Sequence, residues 1–75
     1  MRNYLINMRQ QRNLPAQDVA NNMKISPSAY SLIESGKRQQ DMTISVMNKL
    51  ASVFKIPPEE IFRLEQDYRA QRDTA

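Results

Sequence analysis

Neither cysteine nor histidine occurs among the 75 residues, and these two absences exclude much at once. Without cysteine there is no disulfide framework and no thiolate metal site. Without histidine the commonest metal ligand and the commonest general base are both missing. No nucleophile stands beside a base, and no pair of carboxylates falls at a suggestive spacing. An enzyme is therefore not expected, and neither is a metal or a cofactor. Glycine is almost as scarce, Gly36 being the sole one. Hairpin dipeptides of the Asn-Gly or Asp-Gly kind are absent, and β-branched residues never alternate with polar ones for long, so strands have no signal. Apolar runs end after a few residues, far short of the ~20 needed to span a bilayer. The opening MRNYLINMRQQ lacks an apolar run ahead of a small-residue cleavage site, so it does not read as a signal peptide. A cytoplasmic chain without membrane contact is the expectation.

What remains is helical spacing throughout, in a length suited to one small all-α domain. Charge is unevenly spread. Residues 1–55 carry Arg2, Arg9, Arg12, Lys24, Lys37, Arg38, Lys49 and Lys55 against only Asp18, Glu34 and Asp41. Residues 56–75 reverse the balance, with Glu59, Glu60, Glu65, Asp67 and Asp73 against Arg63, Arg69 and Arg72. By itself that split suits an ordinary solvated surface as well as a phosphate-facing one. The five methionines are scattered at core spacing and read as gap-fillers.

Start and stop signals divide the chain into five helices. The first is expected from about Asn3 to Arg12, with Leu5, Met8 and Tyr4 inward and Arg9 or Arg12 in a partly buried ion pair. Asn13, tolerant of left-handed geometry, ends it. Pro15 suits the first turn of a second helix whose apolar stripe is Val19, Ala20 and Met23, ending near Lys24 with Ile25 dropping into the core. Ser26-Pro27 is the clearest start in the chain, a hydroxyl cap followed by proline at the first helical position. The third helix buries Ala29 or Tyr30 together with Ile33 and ends at Gly36. Lys37 to Met42 form a polar loop. Thr43 caps a fourth helix, from Ile44 to about Phe54, with Met47, Leu50, Ala51 and Phe54 inward. Pro57-Pro58 opens a fifth, where Glu59 and Glu60 sit at the positive N-terminal end and Ile61, Leu64 and Tyr68 form an apolar stripe. Past about Arg69 the polar composition predicts fraying.

Two short helices joined by a tight bend, the second opened by a capping serine and a proline, make a helix-turn-helix. The stretches MRQQRNL, QDVANNMKIS, SAYSLIESGKR and NKLASVFKIPPEEIF together resemble the Cro/C1-type family, also called xenobiotic-response-element or phage-repressor-like, from Leu5 to Leu64. The resemblance implies a compact five-helix, lambda-repressor-like domain over residues 1–64. Residues 65–75 are then an extension of the fifth helix followed by a flexible tail. It also implies double-stranded DNA as partner, with the chain acting as a homodimer on a palindromic operator. Helix three would lie in the major groove, and helix two would offer its N-terminal N–H groups to a phosphate. The family's tie between helix one and helix three falls on Arg9 and Glu34. One departure is Ala16, where relatives often carry a phosphate-binding glutamine; Gln17 stands next to it.

The DNA-facing residues implied in this way are Gln17, Ser26, Pro27, Ser28, Ser31, Leu32, Ser35, Lys37, Arg38, Gln39 and Gln40. Guanine is normally read by Arg or Lys and adenine by Asn or Gln. Pro27, Ser28, Ser31 and Leu32 include no such reader, so specificity is expected from DNA shape, from waters or from the Arg38–Gln40 loop. Leu32 can meet a thymine methyl or belong to a protein interface. Tyr30 shares the side of Ile33, which favours a core role over base stacking. A dimer seam is expected at Ile61, Leu64 and Tyr68. The leading expectation is a sequence-specific DNA-binding transcriptional regulator, a repressor. The alternative is a protein-binding module on the same fold, with an antitoxin-like or anti-repressor partner.

Overall fold

Serine, threonine or proline stands at the start of every helix but the first, and a left-handed residue at or just after the end of every helix but the last. A computed structural model describes residues 1–74. It contains helices α1 (Asn3–Gln11), α2 (Ala16–Met23), α3 (Pro27–Ser35), α4 (Ile44–Phe54) and α5 (Pro58–Thr74), with no strand among the described residues. The chain is all-α and divides into two compact units, Met1–Asp41 and Met42–Ala75.

In the first unit, α1 ends over Arg12 and Asn13, and Asn13 takes the left-handed conformation expected of it (φ 54°). The chain then turns back, the Leu14 N–H donating to the Arg9 carbonyl at 2.9 Å. Pro15 lies one position earlier than expected. It is the residue before α2, in extended geometry, and its carbonyl accepts from the N–H groups of Asp18 and Val19. That placement still exploits the proline's fixed φ while leaving all N–H groups of the first turn intact. Lys24 ends α2 at φ 61°, a left-handed cap made without glycine, and the Ile25 N–H closes onto the Ala20 carbonyl at 3.0 Å. Ser26 Oγ accepts from the Ala29 N–H at 3.1 Å and starts α3, with Pro27 in the first turn. α2 and α3 pack side by side, and α1 packs on α3. Leu5, Val19, Ala20, Met23, Tyr30 and Ile33 are buried, whereas Ala29 and Ile25 are half-buried.

In the second unit, Thr43 Oγ1 accepts from the Val46 N–H at 3.2 Å and starts α4, which ends at left-handed Lys55 (φ 57°). The Pro57 carbonyl then receives the Glu60 N–H at 3.0 Å and opens α5. The two helices pack on each other. Leu50, Ala51, Phe54 and Ile61 are buried, Met47 is half-buried, and Met42, at the end of the polar loop, and Glu65, which stands out in the sequence only as charge, are buried as well. Helix α5 stays helical beyond Arg69, where fraying was expected. Local contacts run along it: Arg63 pairs with Glu60 and, at 3.5 Å, with Asp67, and the Arg72 guanidinium lies 5.7 Å from the Tyr68 ring centroid. The end of the expected flexible tail, residue 75, lies outside the described residues. Among the described residues no helix is long and apolar enough to cross a membrane.

Candidate nucleic-acid interface

The capped start of α3 and its glycine stop together decide which side chains α3 presents. With Tyr30 and Ile33 turned into the core, Pro27, Ser28 and Ser31 are exposed. Ser26 is exposed too, its hydroxyl oxygen engaged as the cap. Leu32 and Ser35 are half-buried, and the Ser35 hydroxyl donates to the Leu32 carbonyl at 3.0 Å. Ser35 is thus committed to its own helix and keeps only acceptor capacity for a ligand. Gln17, in the first turn of α2, is exposed, and Ala16 beside it is half-buried.

Gly36 closes α3 at φ 86°, a conformation a side chain would make costly. Beyond it the chain stays tied to the helix, because the N–H groups of Lys37 and Arg38 both donate to the Leu32 carbonyl, at 3.0 and 3.1 Å. Lys37, Arg38 and Gln40 are exposed, while Gln39 is half-buried with φ 59°. All the DNA-facing residues implied by the sequence lie in the first unit; Ser28 and Ser31 are exposed on α3 and Lys37 and Arg38 in the loop after it, whereas Leu32, Ser35 and Gln39 are half-buried. Pro27, Ser28, Ser31 and Leu32 lack the side-chain groups for a bidentate bond to a base edge, whereas Arg38, Gln39 and Gln40 in the loop are of residue types that have them.

Behind that face lies the ion pair expected from the family resemblance. Arg9 Nε meets Glu34 Oε2 at 3.0 Å and a terminal guanidinium nitrogen meets Oε1 at 3.1 Å, a two-point fork joining α1 to α3. The side chains are 20% and 14% exposed. Glu34 raises the Arg9 pKa above its ordinary value, its hydrogen bond outweighing partial burial. Tyr30 lies under the pair. Burial first, and then the neighbouring Glu34 carboxylate, push its hydroxyl pKa up. The hydroxyl is close enough to Glu34 to feel it but makes no hydrogen bond of acceptable geometry. These three residues are structural support for α3.

In the sequence Arg2 stands out only as charge. It is fully buried. Its main-chain N–H donates to the Glu34 carbonyl at 2.8 Å, and its guanidinium donates to the carbonyls of Ile33 (2.6 Å), Arg38 (3.0 Å) and Gln39. A signal was available in principle: the last carbonyls of a helix need donors, and an arginine next to α1 is a strong one. Of the three residues expected at a dimer seam, Ile61 is fully enclosed, whereas Leu64 and Tyr68 are half-buried. Phe62, 51% exposed, and Ile44, 76% exposed, are the large apolar side chains most open to solvent in that unit. No group of three metal-ligating side chains gathers among the described residues.

A family model described as a helix-turn-helix domain matches residues 3–67, which is most of the chain. No curated protein and no solved structure matches it.

Proposed function

The chain belongs to the helix-turn-helix domain family, a Cro/C1-type architecture, and from that premise we propose that it is a transcriptional repressor that binds operator DNA as a homodimer. In this motif the second helix of the pair enters the major groove and the first crosses the backbone. The observation that carries the reading is the continuity of exposed α3 with the exposed cations after it. Ser28 and Ser31 face outward, and Lys37 and Arg38 follow Gly36 on a loop bonded back to Leu32. Phosphate contacts fall to the two cations and to the N-terminal turn of α2 near Gln17. Serines discriminate weakly between bases, so shape and deformability of the DNA supply much of the specificity. Leu64 and Tyr68, which share one side of α5, supply the seam between two copies. The half-sites then lie one helical turn of about 34 Å apart, or a multiple of it.

The test is a salt titration of binding to random duplex and to DNA selected by the purified protein. For each phosphate neutralised, log K falls with log salt at a slope of about −0.9. The expected result is steep salt dependence, with selected sites that are two-fold symmetric. No binding even at low salt refutes the reading, and a strictly monomeric mass at tens of micromolar, with asymmetric sites, refutes the homodimer.

A second reading, a protein-binding module on the same fold, is favoured by the exposed Ile44 and Phe62 and by the charge-poor edge at Ser28, Ser31 and Leu32. It predicts that Leu32→Lys leaves DNA affinity unchanged or raised. Under the repressor reading, the same substitution lowers the preference for selected sites over random duplex.

A further inference from the structure

We propose that Arg2 is a positioning residue, a buried guanidinium that fixes the shape of the Lys37–Gln40 loop so that its outward side is ready for phosphate. The proposal rests on the DNA-binding reading for the ligand, and on the hydrogen bonds of Arg2 alone for the hold on the loop.

Arg2 joins two neighbouring segments that both lie more than thirty residues from it in sequence. Its donors reach Ile33 in the last turn of α3 and the carbonyls of Arg38 and Gln39 in the loop, while its own main-chain N–H takes the Glu34 carbonyl. One side chain thereby locks the end of α3 to the loop that follows it. An arginine suits this task because its planar fork presents several donors in fixed directions, whereas a lysine concentrates three on one rotatable nitrogen.

Two consequences concern the ligand. First, the carbonyls of residues 38 and 39 point inward to the guanidinium, which removes the negative ends of two peptide dipoles from the surface that Lys37 and Arg38 present. Second, Gln39 is held at φ 59°, a conformation unfavourable for a residue with a Cβ, so the loop's form depends on what its carbonyl is bonded to. A loop ordered before binding gives up less conformational freedom when phosphate arrives.

The experiment compares the full chain with Arg2→Met, which keeps the bulk and removes the donors, and Arg2→Lys, which keeps the charge. All measurements are made below each variant's melting transition. Amide exchange reads the order of residues 37–41 without DNA. The salt dependence of binding to random duplex reads how many phosphates are neutralised. Arg2→Met is expected to speed loop exchange by at least about tenfold, the equivalent of a net hydrogen bond, while amides inside α2 stay protected. It should also make the salt slope shallower by about 0.9 for each phosphate that the loop ceases to neutralise. Arg2→Lys should fall between parent and methionine variant in both readouts. Loop exchange equal to the parent's, or a lowered melting temperature with an unchanged salt slope, overturns the proposal. Should Arg2→Met not fold, Arg2→Lys decides, and parental behaviour in both readouts overturns it. If the parent binds no duplex, the DNA reading fails, and the exchange comparison alone still upholds or overturns the hold of Arg2 on the loop.

Discussion

Removing either member of the Arg9–Glu34 fork tests how α3 is held. The pair makes two contacts, at 3.0 and 3.1 Å, with side chains 20% and 14% exposed. Breaking a fully buried pair costs about 3–5 kcal/mol because one charge is left without compensation, whereas exposed pairs contribute about 0–1 kcal/mol. Water reaches this pair at its edge, so Arg9→Met should cost about 2–3 kcal/mol, with Glu34 stranded beside Tyr30. Glu34→Gln should cost less, because a neutral amide can still accept from the guanidinium. The double variant separates the pair from its surroundings, and its coupling energy should be about 1–2 kcal/mol. Urea denaturation followed by helical circular dichroism measures all four corners of the cycle. For a chain of this size a loss of about 2 kcal/mol lowers the melting temperature by roughly 8–16 °C. Salt should weaken the coupling only modestly, since partial burial limits screening. A coupling below about 0.5 kcal/mol would place the fork with ordinary surface pairs and refute its role as the tie between α1 and α3.

Two further outcomes follow from single hydrogen-bonding groups. Ser26→Ala and Thr43→Ala each remove a cap acceptor and should each destabilise by about 1 kcal/mol in denaturant melts, with Ser26→Gly costing only a few tenths; equal stability in the alanine variants would refute the capping argument. Tyr30→Phe removes a buried hydroxyl that has no hydrogen bond, so it should leave stability at neutral pH unchanged or raise it by up to about 1 kcal/mol. The alkaline arm gives the sign independently. The folded hydroxyl titrates above the ordinary value of 10.0, so above that pH the unfolded chain sheds a proton that the folded chain retains, and stability falls as pH rises. Tyr30→Phe should flatten that fall, and an identical alkaline slope in parent and variant would refute the assignment.

Helix boundaries were legible wherever a local device sets them. Ser26-Pro27, Thr43, Asn13 and Gly36 act through their own backbone or nearest turn, and each does what its residue type predicts. Val19, Ala20, Met23, Leu50, Ala51 and Phe54 were legible for a similar reason, because helical period alone places them on one side. The ends near Lys24 and Phe54 followed from where the apolar period stops, but the left-handed geometry of Lys24 and Lys55 was not legible, since a left-handed lysine carries no propensity signal. Nor were Arg2 and Glu65. Charged residues are read as solvated unless a partner is known, and the partners of Arg2 lie more than thirty residues away. The Arg9–Glu34 tie was available only through family resemblance, since nothing in spacing connects residues on two different helices.

The same distinction bears on how a helix without strong base readers can still serve as the reading element. The Leu32 carbonyl accepts from the N–H groups of Lys37 and Arg38 and from the Ser35 hydroxyl. The exposed serines of α3 and the two cations are therefore parts of one hydrogen-bonded piece. On the reading proposed, phosphates held by the loop fix where α3 lies in the groove, so the serines need only tolerate the bases they meet. Discrimination then passes to whether a given DNA sequence can bring its phosphates to a preset loop, which is a question of groove width and deformability. If so, rigidity of the loop, and with it the buried guanidinium proposed to hold it, becomes a source of specificity that no exposed side chain on α3 reveals.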